Sequence, residues 1–217
     1  MPLAAVCRAP PHWHSVRQLN TSRQMSETET ETAPAAAETA RDDGAPTIPI
    51  LIAPHRTLKA RARAVTPDDM DRVRAIVPRM FAAMYRAPGI GLAAPQVDIS
   101  LRFAVIDLMP KDKPQPFTMI NPEVLQVSEE WATREEGCLS LPNMYADVSR
   151  PAQVRVGFHD LNGKRHEMDA EGLLSACLQH EIDHLDGVLF VDHISALKRN
   201  ILLRKLAKEM KERGAKK

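Results

Sequence analysis

Residues 179–184 read QHEIDH, and no other stretch of the 217-residue chain restricts its fold so tightly. Residues 171–185 carry helical periodicity and stop at Gly187. His180 and His184, four apart, therefore project from one face of a helix, with Glu181 next to the first of them. Leu178, Ile182 and Leu185 surround these three polar residues, so the helix is expected to be buried. Two imidazoles and a carboxylate inside a core are costly without a partner, and a shared divalent cation provides one. Two imidazoles under-coordinate such a cation. A third donor must reach this helix from another segment, which demands a packed tertiary core.

Other stretches supply elements for that core. Thr66-Pro67-Asp68-Asp69 has an N-cap residue, a proline at the first helical position and acids in the first turn. Met70, Val73, Ile76, Val77, Met80, Phe81 and Met84 then recur at three- and four-residue steps, predicting an amphipathic helix that ends at Pro88-Gly89. Pro78 inside it is expected to kink it or interrupt its hydrogen bonding. SLRFAVIDL (100–108) reads as a strand, and AQVRVGFHD (152–160) turns Val154, Val156 and Phe158 to one face. Asn162-Gly163 predicts a hairpin, with KRHEMDA as the returning strand. A last helix covers 195–213. No repeat and no regular β–α–β alternation is present. The predicted class is α+β, with antiparallel or mixed sheets around a central helix carrying H-E-x-x-H, and a C-terminal helix.

Residues 1–26 contain Arg8, Arg17 and Arg23 but no acid, which reads either as a transit peptide or as an over-long reading frame starting properly at Met25. Residues 27–46, ETETETAPAAAETARDDGAP, lack large apolar side chains and read as a disordered tail. The expected division is 1–46 as N-terminal extension, 47–194 as catalytic domain and 195–217 as a basic helix. That helix holds nine Lys/Arg against Glu209 and Glu212. A formal net charge of +1 gives no reason to expect DNA as a partner, and no apolar run is long enough to cross a bilayer. Three cysteines are too few for a disulfide framework and read as thiols, ligands or nucleophiles.

GIGLAAPQ (89–96) begins with the G-x-G-x-x-A spacing of a dinucleotide-binding loop. Such a loop follows a strand and opens a helix. Here it follows a helix, precedes a strand and contains Pro95, so its glycines have another task. For the third metal donor, Asp186, Asp192 and His193 follow the helix but not at the spacing of extended H-E-x-x-H peptidases. Cys177 lies seven residues from His184, about 10 Å along the helix axis, and reads as apolar wall. Cys138, in EEGCLSLP beside Gly137, is the better candidate, although spacing alone leaves it open between ligand and inert thiol. A zinc peptidase and a metal-stabilised binding module are the rival readings at this point.

GIGLAAPQ, EGCLS and QHEIDH, in that order, resemble the three signature motifs of the peptide deformylase family, and the likeness runs over about residues 48–208. The family removes the formyl group from the N-terminal formylmethionine of new polypeptides. The resemblance implies that Cys138, His180 and His184 hold one divalent metal, Fe2+ physiologically, with Zn2+, Ni2+ or Co2+ able to replace it. It makes Glu181 the general acid/base, and Gln96 with the backbone N–H of Leu139 the oxyanion donors. Gly89, Ile90, Gly91 and Gly137 then border the peptide cleft, and Ile90, Leu173, Ala176 and Cys177 line the methionine pocket. Pro88 and Tyr145 depart from residues common at the cleft rim, and Arg150 with Asp183 is expected to form an ion pair behind the histidine helix. The implied partners are N-formylmethionyl nascent peptides, while the basic helix reads either as a solvated helix packing on the domain or as a contact for ribosomal RNA. The implied location is the bacterial cytoplasm, or an organelle matrix if residues 1–26 are a transit peptide.

Overall fold

The computed structural model describes residues 48–109 and 113–214; the readings placed on residues 1–46 lie outside them. In chain order the elements are α1 (Met70–Arg86), β1 (Gly91–Ala93), β2 (Phe103–Ile106), β3 (Phe117–Val127), β4 (Trp131–Cys138), β5 (Leu141–Pro151), β6 (Gln153–His159), β7 (Arg165–Glu171), α2 (Gly172–Leu185) and α3 (Ala196–Gly214). Strands β1-β2-β3-β6-β7 form one antiparallel sheet in that order, and β4 and β5 form a separate antiparallel pair.

Alternate residues of β1 and β2 serve opposite faces of the large sheet. Leu92, Phe103 and Val105 join Val73, Val77, Met80 and Met84 of α1 in one apolar cluster. Ala93, Ala104 and Ile106 join Leu178, Ile182 and Leu185 of α2 in another. With helices on both faces, all four residues of β2 are buried, which is why its sequence runs apolar without alternating. A third cluster sets Leu141, Met144 and Val148 of β5 against Phe190 and against Leu202, Leu203 and Leu206 of α3.

The predicted helices and the 153–171 hairpin stand as read, with Gly163 at a φ of 80° and Gly187 at 75°. α1 continues through Pro78, and Thr66 caps the short 3-10 turn Pro67–Asp69 that leads into it, its N–H and hydroxyl both donating to Asp69 Oδ2. The strand expected over 100–108 is shorter, and GIGLAA itself contains β1, so it opens no α-helix. Strands β3, β4 and β5 were not anticipated from the sequence. Among the described residues no helix is long and apolar enough to cross a membrane.

Candidate metal centre and cleft

α2 lies with one face against the sheet, and the face carrying His180 and His184 meets the β4–β5 hairpin. Their rings stand edge to face with centroids 4.9 Å apart, as an i, i+4 pair allows. Cys138 ends β4, where the register shifts and the chain turns through Leu139 and Ser140 into β5. Its Sγ lies 3.2 Å from His184 Nε2, and donor atoms of Cys138, His180 and His184 all fall within 4.8 Å of one another. One cation with bonds of about 2.0–2.3 Å fits such a triangle of sulfur and nitrogen donors.

The polar groups around the triangle agree with that fit. Glu181 is 3% exposed, and its Oε2 has no hydrogen-bond partner among the described residues, nor has His184 Nδ1. An unpartnered buried carboxylate oxygen needs a charge or a water beside it. Burial pushes Glu181 up to about 7, so it can exchange a proton near neutrality. Burial and the neighbouring His180 hold His184 well down, which keeps it neutral as a ligand must be. For His180, burial opposes a charge, but Cys138 and Glu136 outweigh it and raise its pKa.

His180 is oriented from behind. Its Nδ1 lies 3.0 Å from Glu136 Oε2, leaving Nε2 for the triangle. Glu136 also accepts from Arg150 Nε at 2.6 Å and Nη2 at 3.0 Å, and Arg150 Nη1 donates to Asp183 at 2.7 Å. The expected Arg150–Asp183 pair is thus part of a larger buried network. Burial raises Glu136, but hydrogen bonds from His180 and Arg150 outweigh it and hold it at about 2, ionised.

The remaining predicted residues gather in one cleft of about 600 Å³ that includes Cys138, His180 and Glu181 in its lining. Gln96 is 1% exposed. Its Oε1 accepts from the Ala93 N–H at 2.8 Å, which turns its amide nitrogen toward Ser140 Oγ at 3.2 Å and Cys138 Sγ at 3.6 Å. Gly89, Ile90 and Gly91 form one wall, and Gly137 and Leu139 face them. A Cβ on Gly91 would come within 2.8 Å of Glu181 Cδ, so glycine there makes room for the carboxylate. A Cβ on Gly137 would strike the Tyr145 ring, 2.6 Å away. Leu173, Ala176 and Cys177 line the same cleft, with Cys177 buried and its Sγ 3.8 Å from the Ile90 carbonyl. Pro88 and Tyr145 lie at the rim, as expected.

Two contributors were missed in the sequence, Glu136 and Ser140. Glu136 was legible in principle, because residues two apart on a strand share a face and Glu136 stands two before Cys138.

A model of the family described as polypeptide deformylase matches residues 47–200. The chain is 51% identical over 170 residues to a peptide deformylase of Nitrobacter hamburgensis, covering 75% of this chain and 95% of that protein. It is 48% identical over 170 residues to one from Brucella suis, covering 78% and 97%. The crystal structure of a peptide deformylase from Legionella pneumophila matches with a TM-score of 0.73 at 43% identity, covering 79% of this chain and 99% of that one. A peptide deformylase from Synechococcus elongatus in complex with actinonin gives 0.71 at 40%, covering 76% and 91%. The motifs, the fold and these relatives agree, and the chain belongs to the polypeptide deformylase family, metal-dependent hydrolases that release the formyl group from polypeptide N-termini.

Proposed function

We propose that this chain removes the formyl group from formylmethionine at the ends of nascent polypeptides, using Cys138, His180 and His184 to hold one divalent cation. The observation that carries the reading is a buried, unpartnered Glu181 beside a cysteine–histidine–histidine triangle in an open cleft. A cation there, Fe2+ in the cell with Zn2+, Ni2+ or Co2+ as replacements, supplies Lewis-acid activation of water and of the formyl oxygen. Glu181, near 7, takes a proton from the attacking water and returns it to the leaving amine. The Gln96 amide nitrogen and the Leu139 N–H donate to the oxyanion. Gln96 is suited to this because its carbonyl is committed to Ala93, which fixes its amide nitrogen on the side facing Cys138.

The peptide lies between the Gly89–Gly91 wall and the facing Gly137–Leu139 wall, and pairs with them through its backbone. Backbone pairing tolerates any sequence, so selection falls on an apolar slot of Ile90, Leu173, Ala176 and Cys177 for the methionine thioether. Residues 47–194 form the catalytic domain in this reading. The basic 195–217 segment contacts ribosomal RNA in the cytoplasm, and truncation after about residue 196 abolishes salt-sensitive ribosome binding. The deciding test is anaerobically metal-loaded protein with N-formyl-Met-Ala-Ser. Formate release without internal fragments is expected; internal cleavage, or no formate, refutes the proposal.

A further inference from the structure

The segment after α2 returns to the histidine helix and touches it twice. Phe190 stacks on His180, with centroids 6.5 Å apart and planes 22° from parallel. His193 Nε2 lies 2.7 Å from Asp183 Oδ2, the same oxygen that accepts from Arg150 Nη1. A continuous line of bonds therefore runs from His193 through Asp183, Arg150 and Glu136 to His180 Nδ1. Side-chain exposure is 8% at Glu136 and 7% at Arg150, then rises to 23% at Asp183 and 33% at His193.

We propose that His193 is a positioning residue that sets how firmly the chain retains its cation, acting on His180 through Asp183, Arg150 and Glu136. The inference rests on the metal centre proposed above. Asp183 is open enough to water to turn away from Arg150 once its second donor is gone. Arg150 forms a planar fork, so a shift at Nη1 is felt at the two nitrogens gripping Glu136. Glu136 Oε2 is shared by Arg150 Nη2 and His180 Nδ1, so the imidazole loses part of its restraint. Partners behind a ligating histidine typically alter metal affinity 10–100-fold, and a residue four hydrogen bonds away should act at the lower end of that range.

The test loads the full chain with Co2+, follows its thiolate-to-metal absorption, and measures release into excess chelator. His193→Leu should release cobalt about tenfold faster than the unaltered chain. His193→Gln, which keeps an N–H donor at similar reach, should restore the original rate. Arg155→Leu serves as control, since it breaks the Arg155–Asp169 pair outside the cleft lining and should leave release unchanged. Equal rates for His193→Leu and the unaltered chain overturn the inference, as does equal acceleration by Arg155→Leu. An unaltered chain that takes up no cobalt overturns the metal centre itself.

Discussion

Replacing Arg150 by methionine tests whether the buried network carries stability as well as orientation. Arg150 and Glu136 are 7% and 8% exposed, and the substitution leaves Glu136 and Asp183 facing each other without their shared cation. The drop of Glu136 from 4.5 to about 2, at 1.36 kcal/mol per pH unit, corresponds to about 3 kcal/mol of preferential stabilisation of the ionised form. His180 supplies part of that, while Asp183, also lowered despite burial, adds a share of its own. Breaking a buried pair from one side independently suggests about 3–5 kcal/mol. Urea unfolding of metal-free protein at pH 7 should therefore show Arg150→Met destabilised by about 3 kcal/mol. The pH dependence has a definite sign. A carboxylate lowered in the folded state stabilises it fully above its unfolded value of 4.5, and that contribution disappears as pH falls toward 2. The gap between variant and parent should accordingly narrow below pH 4.5. A loss under about 1 kcal/mol at pH 7, or a gap that widens in acid, refutes the argument.

Glu181→Gln should keep its metal, by elemental analysis, while formate release falls about 10²–10⁴-fold. Gly91→Ala places a methyl group against the Glu181 carboxylate and should lower kcat about a hundredfold, with the circular dichroism spectrum unchanged. The raised His180 must give up a proton to serve as a ligand, so cation affinity should weaken steadily as pH falls, measured by competition with a chelator whose own pH dependence is known. Gln96→Leu should cost about 10²–10³ in kcat with little change in metal content, read by the formate assay.

The histidine helix was legible because its ends and its buried face follow local rules: residues 171–185 against an observed Gly172–Leu185, with Gly187 terminating it. The β6–β7 hairpin was legible for the same reason, since Val154, Val156 and Phe158 alternate inward and Asn162-Gly163 turns the chain. β3 was hidden by Asn121-Pro122, which reads as a strand breaker. The structure accommodates the pair with Asn121 at a φ of 50° and a register shift between Ile120 and Glu123. β4 was hidden because its run of charges has little apolar alternation; of WATREEGC only Glu136 is fully buried, and its burial depends on Arg150, fourteen residues away. The convergence of the three motifs on one cleft is a tertiary fact. Family resemblance anticipated it, and residue spacing alone did not.

Cys138 belongs to the small sheet, while His180 and His184 belong to a helix that packs on the large one. Forty-two residues separate the sulfur from the first imidazole, so the donors meet only after long-range packing is complete. In short zinc-finger loops the ion itself gathers neighbouring donors and drives the chain to fold. Here apolar side chains perform that gathering beforehand. An ion held by these three side chains would meet a site already assembled, and the energy of its capture would go into affinity rather than into building the protein around it.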